Sequence, residues 1–342
     1  MKKILSIDGG GIRGIIPGKV IEYLEERIIE KTQNKDARIS DYFDFIAGTS
    51  TGGILTCLYL CPGDNGRPKY KASDAVELYL KYGGEIFHTN AFNKWRGKYG
   101  LISKVYQSDN MEKRLKEYFG DVKLAQLLKP CLIPTYETDL RQTYFFGQHK
   151  AKDDPGSRNY FVRDVCRATS SAPSYFEPAH IKSEGNYSHS FIDGGIFANN
   201  PGMCAYAEVR GAYDDPKARD MYLVSVGTGS TKRSYDYDII KKKWAMGMIQ
   251  PIIDMMMSGV AETTHFELIK IFQAVGNRDN YIRIEPSDLD SVNEEMDDAS
   301  PKNLDDLKTL GDKTAQDNRR ILDGIADTLI HEFQKTADEV KY

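Results

Sequence analysis

A glycine-flanked serine between two apolar segments is the feature that most constrains how this chain folds. Residues 48–52 have the pattern Gly-x-Ser-x-Gly, with Ser50 at the centre. Residues 43–47 before it predict a buried strand, and residues 53–60 after it predict a buried helix. A sharp strand-to-helix turn lifts a serine hydroxyl out of the backbone, and the helix N-terminus favours a tetrahedral oxyanion. The pattern indicates a serine nucleophile for acyl transfer, although a helix-capping serine between turn glycines would have the same sequence.

The chain is long enough for a sizeable core, and its length alone allows either two domains or one large α/β domain. The chain has 342 residues, of which 40% are hydrophobic, and its net charge of −4 argues against a general nucleic-acid binder. No Pro/Ser-rich linker, repeat or low-complexity run divides it. We expect a single domain over 1–342, with a motif-bearing core over about 3–230 and a helical region over about 245–340.

The apolar stretches are too short for a signal peptide at the N-terminus or for a membrane span elsewhere. The sequence therefore predicts a cytoplasmic protein that contacts membranes only peripherally. Five cysteines lack the spacing of metal ligands, so we expect reduced core thiols and no metal.

Strand and helix patterns alternate along the chain. The predicted strands cover residues 3–7, 43–47, 131–135, 143–146, 191–193 and 221–226. The predicted helices begin at Pro17, cover 53–60, 74–82, 109–119 and 159–168, begin again at Pro251, and close the chain over 315–335, after an acidic loop over 285–306. This alternation is typical of an α/β fold with a mostly parallel sheet and helices on both faces. Functional residues gather at the carboxyl ends of such strands, where we expect Asp8, Ser50 and Asp193.

Residues 9–14 form a glycine-rich turn after the first predicted strand. The spacing Gly9-x-Gly11-x-x-Gly14 also suits a dinucleotide fingerprint, but its ribose-binding acid would then fall at the end of the first helix, where it is not expected. A nest of backbone N–H groups is the better interpretation, and in an acyl-transfer enzyme it serves as an oxyanion hole. Gly10 and Gly11 would supply the donors, and Arg13 would orient the loop or meet a phosphate. A tight turn without a role stays open.

Asp193 is the predicted base for the serine. It ends an apolar strand, and Gly194 and Gly195 leave room for a close approach. Partial burial raises the pKa of a carboxyl and makes it a competent base. None of the six histidines follows a predicted strand in a sharp turn. The alternative is that Asp193 caps the helix after it.

Three ordered motifs, at residues 8–14, 48–52 and 193–195, resemble those of the patatin-like phospholipases. Residues 169–173, 199–201 and 225–229 match the same family, and the resemblance covers about residues 3–335. It implies a three-layer α/β sandwich, a Ser50–Asp193 dyad without a histidine, and no cofactor. It also implies an oxyanion hole formed by Gly9, Gly10, Gly11, Arg13 and Gly14, with motif support from Gly48, Gly52, Gly194 and Gly195.

The activity implied by this resemblance is that of a phospholipase A or lysophospholipase that cleaves the carboxyl esters of phospholipids. A broad esterase for neutral or soluble acyl esters, and a storage or binding protein of the same fold, are the alternatives. A methionine-rich segment over 246–257 suits a lid over a lipid pocket, core packing or a subunit interface. Basic-aromatic segments at 93–99 and 241–244 suit either the inner membrane face or a solvated surface.

The chain also resembles the bacterial phospholipase effectors of antiphage signalling, CBASS. That resemblance implies activation by a cyclic oligonucleotide, a change of homo-oligomer and an antiviral role. No motif in the sequence indicates a cyclic-nucleotide site.

Overall fold

A computed structural model describes residues 1–86, 106, 108–213, 215–230, 237–242 and 248–339. Their strands join in one sheet, in the order β5-β6-β3-β2-β1-β7-β8, with β4 beside β3. The strands are β1 (Lys2–Ile7), β2 (Phe45–Gly48), β3 (Cys131–Glu137), β4 (Gln142–Phe146), β5 (Ala179–Lys182), β6 (Ser188–Asp193), β7 (Met221–Val226) and β8 (Tyr281–Ile284). The sequence analysis did not predict β5 and β8, because polar residues interrupt the apolar pattern of both strands.

Helices of the described residues cover both faces of this sheet. They are α1 (Ile15–Thr32), α2 (Ile39–Tyr42), α3 (Thr51–Leu60), α4 (Ala72–Ile86), α5 (Asp109–Phe119), α6 (Gln148–Asp153), α7 (Pro155–Arg158), α8 (Val162–Thr169), α9 (Gly195–Ala198), α10 (Gly202–Ala212), α11 (Tyr237–Lys242), α12 (Ile249–Ala274), α13 (Pro301–Asp317) and α14 (Arg319–Glu339). None of them is long and apolar enough to cross a membrane.

The sheet has two halves that differ in strand direction. In the parallel half, formed by β2, β1, β7 and β8, every pairing is parallel. In the antiparallel half, formed by β3, β4, β5 and β6, every pairing is antiparallel, while β3 joins β2 in parallel. The expected α/β architecture is confirmed, with a parallel centre and an antiparallel flank.

Two apolar cores lie on opposite faces of the sheet. Along β1, Leu5 and Ile7 face one core and Ile4 faces the other, as the alternation of a strand requires. The first core includes residues of α1, α3, α4, α13 and α14, and the second includes residues of α10 and α12. Helix, sheet and helix therefore form three layers, as expected.

The C-terminal region differs from its prediction. Helix α13 begins at Pro301, inside the segment expected to be loop, because the Ser300 side chain accepts a hydrogen bond from the Asn303 amide and proline suits the first helical position. The single closing helix expected over 315–335 is two helices, α13 and α14. The basic-aromatic segment at 93–99, and residues 243–247, lie outside the described residues.

Candidate active site

The turn at Ser50 is strained, as the serine motif predicts. Ser50 has φ 55° and ψ −121° between the end of β2 and the start of α3, a conformation that costs a non-glycine residue about 1–3 kcal/mol. The backbone packs tightly around it: a Cβ at Gly48 would overlap the carbonyl of Gly52, and one at Gly52 would overlap the carbonyl of Ile7. Glycine is therefore required on both sides of the serine.

The structure brings Ser50 and Asp193 together. The Ser50 hydroxyl donates a 2.6 Å hydrogen bond to Oδ2 of Asp193, and both side chains are buried. The other carboxylate oxygen, Oδ1, accepts the Gly195 amide at 2.7 Å, so the aspartate also caps the turn that follows it. Burial raises the pKa of Asp193 to about 6, against the lowering effect of its hydrogen bonds from Ser50 and Gly195.

Thr169 joins the turn at Ser50 to the antiparallel half of the sheet. Its Oγ1 accepts the Ser50 amide at 3.0 Å and donates to the Pro134 carbonyl of β3 at 2.7 Å. Two residues further on, the Ser171 carbonyl accepts the Asp193 amide at 3.0 Å. The segment at 169–173, which the sequence showed only as a family match, thus contacts both Ser50 and Asp193.

The glycine-rich turn is held beside Ser50 by bonds to distant segments. The Gly9 amide donates to the Asn199 carbonyl at 3.0 Å, and the Gly9 carbonyl accepts the Thr228 hydroxyl at 2.7 Å. The Ile12 amide donates to the Met296 carbonyl at 2.8 Å. Because its own amide is engaged, Gly9 contributes space next to Ser50 rather than a donor.

Between these held points lie two amides that remain available. No acceptor contacts the Gly10 or Gly11 amide within the part of the chain that the structure describes. Gly11 has φ +59°, and a Cβ there would overlap the Met296 carbonyl, so only glycine fits. The Gly10 and Gly11 amides thus lack an acceptor in the described structure, and Gly11 also lines the cavity that contains Ser50.

Gly14 and Arg13 support the turn from behind. A Cβ at Gly14 would overlap Oγ1 of Thr51, so this glycine allows the turn to pack against α3. Arg13 is buried, and its Nε and Nη1 find no hydrogen-bond partner within the described residues. Burial lowers the pKa of Arg13, while the negative charge of Asp254 raises it. Arg13 is absent from the described residues that line the cavity beside Ser50.

An ion pair that the sequence analysis missed lies at the start of this turn. Arg283 of β8 binds both carboxylate oxygens of Asp8, at 2.9 Å from Nη1 and 2.6 Å from Nη2, and both side chains are buried. Burial raises the pKa of Asp8 and the charge of Arg283 lowers it, while the charge of Asp8 raises the pKa of Arg283. An arginine inside the apolar strand Tyr281–Ile284 was the available signal, because a buried charge requires a partner.

A narrow apolar cavity of about 60 Å³ opens beside the Ser50–Asp193 pair. Ser50, Asp193 and Gly11 contribute to its wall, and so do Met257 of α12 and Met296. The other apolar residues that line it are Ile54, Leu78, Tyr79, Ile86, Met111, Leu115, Ala172, Tyr175, Phe176 and Ile253. A thioether chain adapts to irregular apolar ligands, so the three methionines suit the wall of an acyl site.

Each histidine that the structure describes contacts a partner other than Ser50 or Asp193. The pairs are His149 with Glu208, His180 with Ser190, His189 with Glu137, His265 with Tyr281 and His331 with Glu332. Within the described residues, no cluster of three His, Cys, Asp or Glu side chains could hold a metal ion.

This fold and site define an α/β protein with a buried serine–aspartate pair beside an apolar cavity. The family model for patatin-like phospholipase matches residues 5–205. The chain is 35% identical to Patatin-like protein 4 of Arabidopsis thaliana, and the match covers 92% of the chain and 83% of that relative. It is 31% identical to Patatin-2-Kuras 3 of Solanum tuberosum, and this match also covers 92% of the chain and 83% of the relative.

The chain belongs to the patatin-like phospholipase family, a family of lipid acyl hydrolases. Among solved structures, VipD from Legionella pneumophila covers 91% of the chain and 67% of its own length, with a TM-score of 0.35 and 13% identity. That score is too low to support a structural inference.

Proposed function

We propose that this chain hydrolyses the carboxyl esters of phospholipids, as a phospholipase A or lysophospholipase that works through a Ser50–Asp193 dyad. The observation that carries the proposal is the 2.6 Å hydrogen bond from the Ser50 hydroxyl to Asp193, next to the available amides of Gly10 and Gly11. These are the groups that acyl transfer needs: a nucleophile, a base and oxyanion donors.

In the proposed reaction, Ser50 Oγ attacks the acyl carbonyl while Asp193 takes the hydroxyl proton. The carbonyl oxygen becomes negative and accepts hydrogen bonds from the Gly10 and Gly11 amides. Asp193 then gives its proton to the leaving alcohol, and an acyl-enzyme remains on Ser50. Water, deprotonated by Asp193, attacks this ester, and the proton returns to Ser50 as the fatty acid leaves.

The cavity beside the dyad supports an acyl chain as the recognised part of the substrate. Apart from Arg114 and the polar groups around the dyad, its wall is apolar, and burial of each methylene contributes about 0.8 kcal/mol. A volume of about 60 Å³ suits a short acyl segment, and a longer chain requires side chains such as Met257 to move aside. We infer no head-group preference from this cavity.

Fatty-acid release from mixed phospholipid vesicles tests the proposal. Replacing a catalytic serine lowers turnover by about 10⁴–10⁶-fold, so we expect Ser50→Ala to release no measurable fatty acid. Ser40→Ala is the matched control, because Ser40 is a buried serine whose hydroxyl has no partner in the described structure. Equal release by wild type and Ser50→Ala would disprove the serine mechanism.

The same assay separates the alternatives. Wild type that leaves vesicles intact but hydrolyses p-nitrophenyl butyrate would be a broad esterase. Wild type that binds lipid and hydrolyses neither substrate would be a storage or binding protein.

Activation by a cyclic oligonucleotide, a change of homo-oligomer and a role in antiviral defence stay predictions from resemblance, and contact with the inner membrane face stays a prediction from the sequence. Adding a panel of cyclic dinucleotides and cyclic trinucleotides to the vesicle assay, and measuring the mass of the assembly with each, tests the first two. Unchanged release and unchanged mass with every nucleotide would remove them.

A further inference from the structure

We propose that Arg283 is a positioning residue that sets the oxyanion donors of Gly10 and Gly11 by holding Asp8. This inference rests on the proposed function, because it assigns those amides a part in acyl transfer. Arg283 lies 275 residues after Asp8 and beyond the segment that the family model matches.

The contact between the two side chains is bidentate and shielded from water. Both terminal nitrogens of Arg283 donate to Asp8, one to each carboxylate oxygen. This fork-to-fork geometry fixes direction as well as distance, which a single hydrogen bond does not. Asp8 cannot rotate its carboxylate without breaking both bonds, and the next residue along the chain is Gly9.

The end of β7 is shaped to hold the guanidinium. Ser225 Oγ accepts a 2.8 Å bond from Nη1 of Arg283, and a Cβ at Gly227 would lie 2.6 Å from Nη2. The Thr228 hydroxyl holds the Gly9 carbonyl. The segment at 225–229 appeared in the sequence only as a family match, and these contacts explain it as the seat of the Asp8–Arg283 pair.

The attachments of the turn bracket the two available amides. On one side are the Asp8 carboxylate, the Asp8 amide, which donates to Val226 at 3.0 Å, and the bonds of Gly9. On the other side is the Ile12 amide bonded to Met296. The Asp8–Arg283 pair is the ionic member of this set, and its loss leaves a buried carboxylate without a counter-charge. We therefore expect the start of the turn to shift when Arg283 is changed.

Steady-state kinetics on the full chain with p-nitrophenyl butyrate test the proposal. Loss of one oxyanion donor costs about 10²–10³-fold in turnover, so we expect Arg283→Gln to lower kcat about 100-fold and leave KM within about threefold. Arg283→Lys keeps the charge without the bidentate contact and should recover about tenfold of that loss.

Glu285→Gln is the matched control, because Glu285 accepts a 2.9 Å bond from Nη2 of Arg283 at the partly exposed rim. We expect kcat of this variant within about threefold of wild type. An Arg283→Gln enzyme with wild-type kcat, or a Glu285→Gln loss equal to that of Arg283→Gln, would overturn the proposal.

Hydrogen exchange gives a second readout that does not depend on activity. In wild type the Gly9 and Ile12 amides are bonded to backbone carbonyls, so they should exchange slowly. Both should exchange at least tenfold faster in Arg283→Gln and at the wild-type rate in Glu285→Gln. If Arg283→Gln fails to fold, Arg283→Lys takes its place, and unchanged exchange at both amides overturns the proposal. This result stands whether or not Ser50→Ala shows the chain to be a hydrolase.

Discussion

The two halves of the sheet contribute to the site in different ways. The parallel half supplies Ser50 and the glycine-rich turn at the ends of β2 and β1, which lie at the same edge because Ile7 pairs with Gly48. The antiparallel half supplies Asp193 from β6, which runs against β3. The carboxyl ends of antiparallel strands lie at opposite edges of a sheet. A second feature must therefore bring Asp193 to Ser50.

That feature is the length of β3. Ala47 of β2 pairs with Leu132, and β3 continues to Glu137 after β2 has ended at Gly48. Asp193 pairs with Thr135 in this extension, which is level with the serine turn. The rule for carboxyl ends therefore explains Asp8 and Ser50, while Asp193 reaches the same place through an overhanging strand.

Removing the negative charge of Asp193, which the antiparallel half contributes, should have the largest effect on turnover. Asp193→Asn keeps the size of the side chain but cannot accept the Ser50 proton, so we expect kcat to fall about 10³–10⁴-fold. The measurement is fatty-acid release from phospholipid vesicles, with Asp139→Asn as a control, since Asp139 is an exposed aspartate that bonds the Ser190 amide. Turnover within tenfold of wild type in Asp193→Asn would mean that another base serves Ser50.

Lowering the pH should remove the same negative charge of Asp193 gradually, by protonation. Only the carboxylate form of Asp193 accepts a proton, and burial raises its pKa to about 6. We therefore expect kcat/KM to be level above pH 7 and to fall about tenfold for each pH unit below 6. A profile that stays level down to pH 5 would contradict this.

Asp8 is a second carboxyl with a raised pKa of about 6, so the pH profile needs a separate control. Asp8→Asn, measured on its residual activity, distinguishes the two groups. A midpoint that stays near 6 in this variant assigns the profile to Asp193, and loss of the acid limb would assign it to Asp8.

Thr169, which links the two halves, should have the smallest effect, and we expect that effect on stability. Thr169→Val removes the hydroxyl shared by the Ser50 amide and the Pro134 carbonyl, and leaves both without a partner. The expected decrease in the free energy of unfolding is about 1–3 kcal/mol, measured in urea. Thr56→Val is the control, because the buried Thr56 hydroxyl has no partner in the described structure. Equal decreases in both variants would show that the bridge contributes nothing.

Local patterns in the sequence were sufficient to predict the two turns that the parallel half contributes to the candidate site. A serine between glycines after an apolar strand, and a glycine-rich turn after another, each depend on neighbours within a few residues. The contacts of Thr169, Thr228 and Arg283 depend on which strands become neighbours, and no local pattern states that. Strand β8 has four residues, and its arginine breaks the apolar run that would have marked it.

The antiparallel half was predicted less well for a related reason. Alternating strands and helices indicate parallel pairing, but β3, β4, β5 and β6 pair through hairpins and returns of the chain. Asp193 was still found, because two glycines follow it and no histidine offered a better base. The structure places Asp193 in contact with Ser50, but the reason given for its position was incomplete, and its role as a base stays a prediction.

The distance along the chain between paired residues has a consequence for synthesis. Asp193 leaves the ribosome 143 residues after Ser50, and Arg283 leaves 275 residues after Asp8. The N-terminal segment can form its strand and helices first, but contacts of such large sequence separation close late. The nascent chain thus carries its serine without the aspartate, and its glycine-rich turn without the arginine, until these later residues have been made.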